Sequence, residues 1–293
     1  MTDNRKIWHW VIMALLSLIW GTSYILMKRG LESFSYIQVG TLRILFSFLC
    51  LLPIALKNLH KLSRQNFLSI GIIGLFGSGI PAFLFPVAQT RISSSLAGML
   101  NSLSPVFTLV VGILFYKRHA VKAQITGVFL GLIGAVGLLY SGSFSLNYYG
   151  IFVVIATILY GISANEVSRV EGINGLQITS LAFLLISPIA IGYLIFSDFS
   201  QVPATDHWVR NLGCIALLAV MGSAIALALF YFLIRETSPV FGSLVTYFIP
   251  IVSTLWGLAD NERFTSSMLI SVAVILAGVY IINRTAIKNI LRT

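Results

Sequence analysis

Four residues of the first apolar run, Trp20, Ser23, Tyr24 and Met27, fall at i, i+3, i+4 and i+7, so they share one face if the run is helical. Aromatic surfaces with a few hydroxyls do the chemistry of binding; they suit an organic molecule with an apolar body and polar ends. The same residue types recur along the chain: Ser78 and Phe85 in a stretch dense in Gly and Pro, Asn101 and Ser104 before Pro105, Tyr160 and Ser163, Ser223 after Gly222, and Thr246 and Tyr247 before Pro250. Polar groups within apolar runs are costly unless paired or facing water, so these twelve side chains are candidate substrate-binding residues, Met27 sharing a face with the first three. Packing between helices uses the same small and hydroxyl side chains, and for any single residue it stands beside binding as a reading. Proline frees a carbonyl one turn earlier. The carbonyls before Pro105 and Pro250, with Asn101 nearby, are candidate acceptors for an ammonium or hydroxyl group.

Two ionisable residues lie within apolar runs. Arg43 sits well inside the second run, where its guanidinium could bind a substrate carboxylate or brace helices and cap carbonyls. Glu166, near the end of the sixth run, could pair with Arg169 or a neighbouring loop, or titrate in proton-coupled exchange; pairing is favoured because an interfacial acid reaches water. No acid stands near the centre of a run, so proton coupling has little support. Catalytic inventory is poor. His9, His60, His119 and His207 are scattered, and no HExxH, GxSxG or P-loop pattern occurs, which argues against an enzyme, a metal site, a cofactor and an ATP-driven pump. Cys50 and Cys214 offer no disulfide framework.

The elements that must position these residues follow from composition. Of 293 residues 57% are hydrophobic and 10% charged, against roughly 25% charged in soluble domains, and the mean hydropathy is +0.93. Crossing a bilayer takes about 20 mainly apolar residues per helix. Cutting at the polar breaks predicts ten spans, near 7–27, 36–56, 67–88, 93–115, 123–141, 148–168, 176–197, 211–233, 240–258 and 266–283, with short connections and no room for a soluble domain. The first run is too long for a signal-peptide core and lacks a small-residue cleavage site, so it reads as a retained span.

A net charge of +10 would suggest nucleic acid in a soluble protein; here its distribution matters more. On one side of the ten-span layout fall thirteen basic residues: Arg5, Lys6, Lys57, Lys61, Arg64, Lys117, Arg118, Lys122, Arg169, Arg235, Arg284, Lys288 and Arg292. Only Lys28, Arg29, Arg91, Arg210 and Arg263 fall on the other, together with Glu32, Asp198, Asp206, Asp260 and Glu262. Excess positive charge stays in the cytoplasm, so both termini are expected inside and nucleic acid is not an expected partner.

The two halves can be laid on each other. Ile19-Trp20-Gly21-Thr22-Ser23 matches Leu159-Tyr160-Gly161-Ile162-Ser163, while Gly77-Ser78 matches Gly222-Ser223, Pro105 matches Pro250 and Gly112 matches Gly257 at a longer offset; Pro53-Ile54-Ala55 finds Pro188-Ile189-Ala190. With five spans per repeat, the second repeat enters the membrane from the opposite side. Inverted repeats can exchange conformations around one central site and so alternate access. The expected repeats are 1–141 and 142–293.

Trp20-Gly21-Thr22-Ser23-Tyr24-Ile25-Leu26-Met27-Lys28 followed by Arg43, then Pro250, Glu262-Arg263 and Ala277-Gly278-Val279-Tyr280, resembles the EamA family of the drug/metabolite transporter superfamily. The resemblance covers nearly the whole chain. It implies an all-α integral membrane protein of ten transmembrane helices in two inverted five-helix repeats, a carrier that exports small organic metabolites, commonly amino acids or related compounds, through a cavity between the halves. An arginine at the place of Arg43 recurs across a family of varied substrates, which favours bracing for that residue. Where the family often has an acid after the fourth span, this chain reads Phe115-Tyr116-Lys117-Arg118, with Lys117 aligned to Glu262. The expected partners are a metabolite and the lipid bilayer, as a monomer or weak homodimer; the expected location is a bacterial inner membrane. A membrane-embedded binding or sensing protein without translocation is the alternative. Two structural expectations complete the reading: the helix break of the third span has no proline in the eighth and so is asymmetric, and Gly127-Val128-Phe129-Leu130-Gly131 serves internal packing rather than dimerisation.

Overall fold

Apolar runs of this length bury their backbone hydrogen bonds within helices, and the polar residues between them act as caps. In a computed structural model, which describes residues 3–140, 147–200, 202 and 205–292 and leaves out the side chains of 3–6, 65, 240, 243 and 285–292, the secondary structure is entirely helical among the described residues. Among the described residues nine helices are long and apolar enough to cross a membrane: Ile7–Leu31, Tyr36–Lys57, Asn66–Gln89, Ser94–Phe115, Lys122–Leu139, Tyr148–Val167, Gly175–Phe196, Trp208–Glu236 and Ser266–Arg284. A shorter apolar helix, Leu244–Ala259, stands between the last two and completes ten spans. Its beginning, from Ser243 to Tyr247, is wound as a 3-10 helix just ahead of Pro250. Ser35 with Gln38 and Asn174 with Gln177 form capping boxes at the starts of the second and seventh spans. The expected boundary between repeats, 141/142, lies outside the described residues, as do the side chains of Arg5, Lys6, Lys288 and Arg292.

The third span contains a π-helical turn at Leu75–Gly79, closed by Ile80 N–H donating to Leu75 O at 2.8 Å, and resumes at Pro81. The eighth span has one too, at Leu218–Ile225, although no proline is present. The expected asymmetry is therefore corrected. A π-turn leaves carbonyls without their usual partners, and side chains from other spans take them up. Ser47 donates to Ala219 O at 3.0 Å and Trp20 N–H to Gly222 O at 2.9 Å. Proline is one way to loosen the ladder; donors from neighbouring helices stabilise the same break without it.

Close approaches between halves repeat as well. A Cβ on Gly222 would lie 2.7 Å from Ser23 Oγ, and one on Gly77 would lie 2.5 Å from Ser163 Oγ, so the first span meets the eighth as the sixth meets the third. The fifth and tenth spans cross backbone to backbone, where a Cβ on Gly127 would sit 2.5 Å from Gly278 O and the converse. The glycine pattern of the fifth span is thus used inside the chain. Glycine allows these contacts because it alone brings no side chain to the crossing.

Candidate functional site: the cavity between the halves

Between the halves lies a cavity of about 770 Å³, its mouth included, lined by side chains of the first, second, third, fourth, sixth, eighth and ninth spans. Two ring pairs wall it. Trp20 and Phe230 meet edge to face with centroids 5.0 Å apart, and Phe85 and Tyr160 stack at 5.8 Å, with Tyr24 tilted against Phe85 at the same distance. Phe230 stands 145 residues after Phe85, the interval from Gly77 to Gly222, and Tyr160 is the counterpart of Trp20. Each half therefore contributes one ring to each pair.

Of the sequence-predicted residues, Trp20, Ser23, Tyr24, Phe85, Asn101, Ser104, Tyr160, Ser163 and Thr246 line the cavity, as does Arg43. All four residues of the Trp20 face are present, Met27 included. Ser223 stands behind the lining, where its hydroxyl accepts from Arg43 Nε at 2.7 Å. Ser78, Tyr247 and Glu166 are not brought to the cavity. The freed carbonyl of Asn101 is also not open: Ser104 Oγ donates to it at 2.8 Å. Fixed by the break before Pro105, the hydroxyl sits on the acceptor that the proline releases. The lining also includes Thr108, Phe230 and Tyr231, which sequence reasoning missed. Phe230 was findable from Phe85 by the repeat interval. Tyr231 comes to the site by a hydrogen bond to Ser163 (Oη to Oγ 3.2 Å), which has no sequence signal.

Two polar clusters flank the cavity. On the face where the first span ends, Lys28 Nζ lies 2.7 Å from Glu262 and 2.6 Å from Asp260, Arg29 pairs with Asp260 and Glu32, and Arg210 reaches Glu32 at 3.0 Å. Glu262 also accepts from the N–H and hydroxyl of both Ser94 and Ser95, capping the fourth span. Burial pushes its carboxyl up, but the hydrogen bonds from Lys28, Ser95 and Ser94 outweigh that and hold it at about 2. On the opposite face Glu166, 5% exposed, accepts from Ser69 Oγ and Tyr116 Oη, both at 2.6 Å, while Arg169 stays 3.8 Å away. Burial and then the bond to Glu166 raise the Tyr116 phenol above its ordinary value.

The turn after the fourth span corrects the alignment of Lys117 with Glu262. Lys117 and Asn261 both have left-handed backbone, with φ of 53° and 57°. The following residues, Arg118 and Glu262, each return an N–H to a glycine carbonyl, Gly112 at 3.0 Å and Gly257 at 2.8 Å. Arg118 is the counterpart of Glu262. One extra residue in the first-repeat turn shifts the register that sequence spacing assumed. Burial lowers the Arg118 pKa from its ordinary value.

The sequence pattern of the EamA-like transporter family matches this chain twice, over residues 8–140 and 148–284. The chain belongs to the EamA-like transporter family. Its fold is accordingly the two-repeat arrangement of that family, in a multi-pass membrane protein with a general transport role. Among relatives, it is 26% identical over 273 residues to the "Uncharacterized inner membrane transporter YedA" of Escherichia coli (strain K12), covering 91% of this chain and 88% of that one. It is 23% identical over 287 residues to an "Uncharacterized transporter" of Archaeoglobus fulgidus, covering 94% and 98%, and 25% identical over 292 residues to the "Uncharacterized transporter YojE" of Bacillus subtilis (strain 168), covering 95% and 94%. A solved crystal structure shares the fold with a TM-score of 0.64 at 17% identity, over 95% of this chain and 97% of that one.

Proposed function

We propose that this EamA-like transporter is a secondary carrier that exports small organic metabolites, amino acids or related compounds, by alternating access. The observation that carries the reading is the exchange of rings between halves: Trp20 with Phe230 and Phe85 with Tyr160. Walls built from equivalent positions of inverted repeats can trade roles, one pair opening as the other closes, which is the geometry alternating access needs. The repeats are taken as 1–141 and 142–293. The charge asymmetry supports both termini in the cytoplasm of a bacterial inner membrane. Use of the fifth-span glycines inside the chain supports a monomer or weak homodimer.

Labelled amino acids loaded into proteoliposomes test this by counterflow. Saturable exchange is the expected result; saturable binding without exchange would move the protein to a sensing or binding role. A growth screen of expressing cells against toxic amino-acid and dipeptide analogues, with Trp20→Ala and Asn101→Ala as controls, tests the site. Protection that survives both substitutions would place the site elsewhere.

A further inference from the structure

Arg43 is the one charged side chain on the cavity wall among the described residues. No carboxylate pairs with it among those residues. Its Nε donates to Ser223 Oγ at 2.7 Å, and its guanidinium interacts with the Tyr160 and Tyr24 hydroxyls. The backbone beneath it is clamped, because Ser47 Oγ donates to both Arg43 O, at 2.8 Å, and Ala219 O, at 3.0 Å, tying the second span to the π-turn of the eighth. A cation held this firmly at the wall of a membrane cavity, with neutral neighbours, is costly, and the cost falls when an anion arrives. The planar guanidinium offers a carboxylate two parallel N–H groups once Nε is committed elsewhere. Bracing alone would not need this charge, since its hydrogen-bond partners, Ser223 and Tyr160, are neutral hydroxyls that a neutral donor would serve equally.

The charge is also off-axis. Four of the cavity's rings, Trp20 with Tyr160 and Phe85 with Phe230, are repeat counterparts, but the seventh span, the counterpart of the second, contributes nothing to the wall. Counting from Pro188, the equivalent of Pro53, the position matching Arg43 is Ile178, which is fully buried elsewhere. One end of the cavity therefore has a cation, and no acid on its wall offers an ammonium group a charged partner.

We propose that Arg43 is the carboxylate anchor of the cavity, and that the compound carried is a small monoanion: one carboxylate on an aromatic or branched apolar body, without a compensating ammonium. The Phe85 and Tyr160 rings, with Tyr24, take the apolar body; Arg43 takes the charged end. This rests on the carrier reading above and narrows its "related compounds" to organic acids, which cancel the cavity's charge where a zwitterion leaves its ammonium without an acid.

The test compares three probes of one shape on the purified full chain in nanodiscs at pH 7: labelled 3-phenylpropionate, with its methyl ester and phenylalanine as competitors. The acid is expected to bind at least tenfold tighter than either competitor. Arg43→Gln is expected to lose at least tenfold for the acid with little change for the ester, and Arg43→Lys to recover part of that loss. Equal binding of acid and ester, tighter binding of phenylalanine, absence of binding by all three, or an unimpaired folded Arg43→Gln each overturns the proposal. Should Arg43→Gln not fold, the wild-type ranking decides alone. Counterflow of the acid separates the two readings: binding without exchange defeats the carrier and leaves the anchor, whereas exchange of amino acids with no preference for the acid does the reverse.

Discussion

Trp20 meets Phe230 edge to face at 5.0 Å, and the same indole donates its N–H to the carbonyl of Gly222 at 2.9 Å, two turns earlier on the helix that presents Phe230. One side chain of the first repeat thus fixes both the ring and the broken backbone of the second. The contact links a wall of the cavity to the π-turn that shapes it.

Replacing either member separates these roles. Phe230→Ala removes the ring contact alone, whereas Trp20→Phe keeps a ring and removes the N–H donor. Both variants are expected to lower transport, with a coupling between Trp20→Ala and Phe230→Ala of about 0.5–1.5 kcal/mol in substrate binding, as aromatic pairs show in double-mutant cycles. Additive losses in equilibrium binding would deny that the rings act as a pair.

The close approaches at Gly77 and Gly222 predict paired instability. Gly222→Ala places a methyl against Ser23 Oγ, and Gly77→Ala places one against the Ser163 and Tyr231 hydroxyls. Each is expected to cost about 1–3 kcal/mol by overpacking. Thermal denaturation in detergent checks this, and Ser23→Ala is expected to restore much of the Gly222→Ala loss. For Gly77→Ala, Ser163→Ala alone is expected to restore less, because the Tyr231 hydroxyl still stands 2.5 Å from the added carbon.

Glu262 predicts an acid-sensitive face. Its carboxyl, ordinarily near 4.5, is held at about 2, so the folded form binds the proton less readily than the unfolded chain. Its contribution to stability is therefore fully present above about pH 4.5 and is lost as pH falls through 2. Glu262→Gln is expected to lower stability at neutral pH by about 2 kcal/mol, the scale of charge-assisted hydrogen bonds, with the difference from wild type shrinking on acidification. Melting curves at pH 7, 4 and 2.5 measure it; a constant difference would show that the carboxylate's charge is not what the cluster uses.

Glu166 accepts from two neutral hydroxyls, Ser69 at one carboxylate oxygen and Tyr116 at the other; a neutral amide keeps one acceptor oxygen, and its NH2 group can donate to the oxygen of the second hydroxyl. Glu166→Gln is expected to keep counterflow and its dependence on pH. A flattened pH profile with folding intact would make this residue a proton carrier and reverse the conclusion.

Span count, the internal repeat and the Trp20 face were legible because hydrophobicity and helical spacing are local properties. Nine of the predicted binding residues reach the cavity on that basis. Ser78 and Tyr247 do not, because a π-turn and a 3-10 turn rotate the chain where proline and glycine spacing had assumed a regular helix. Spacing alone aligns Lys117 with Glu262, because the one extra residue that the first-repeat turn holds between Gly112 and Arg118 leaves no mark in composition.

The sequence by itself determined that this chain is solvated by lipid, that it crosses ten times, and that its halves run in opposite senses, because each follows from apolar length, charge and parity along the chain. Only the tertiary structure decided which polar groups are already satisfied. Ser104 covers the carbonyl that Pro105 frees, Trp20 and Ser47 cover those of the eighth span, and Arg43 alone of the charged groups faces the cavity without a carboxylate among the described residues. Ser104 is a local partner, but the eighth-span carbonyls depend on partners far apart in sequence, and in a medium without water those partners come from other helices.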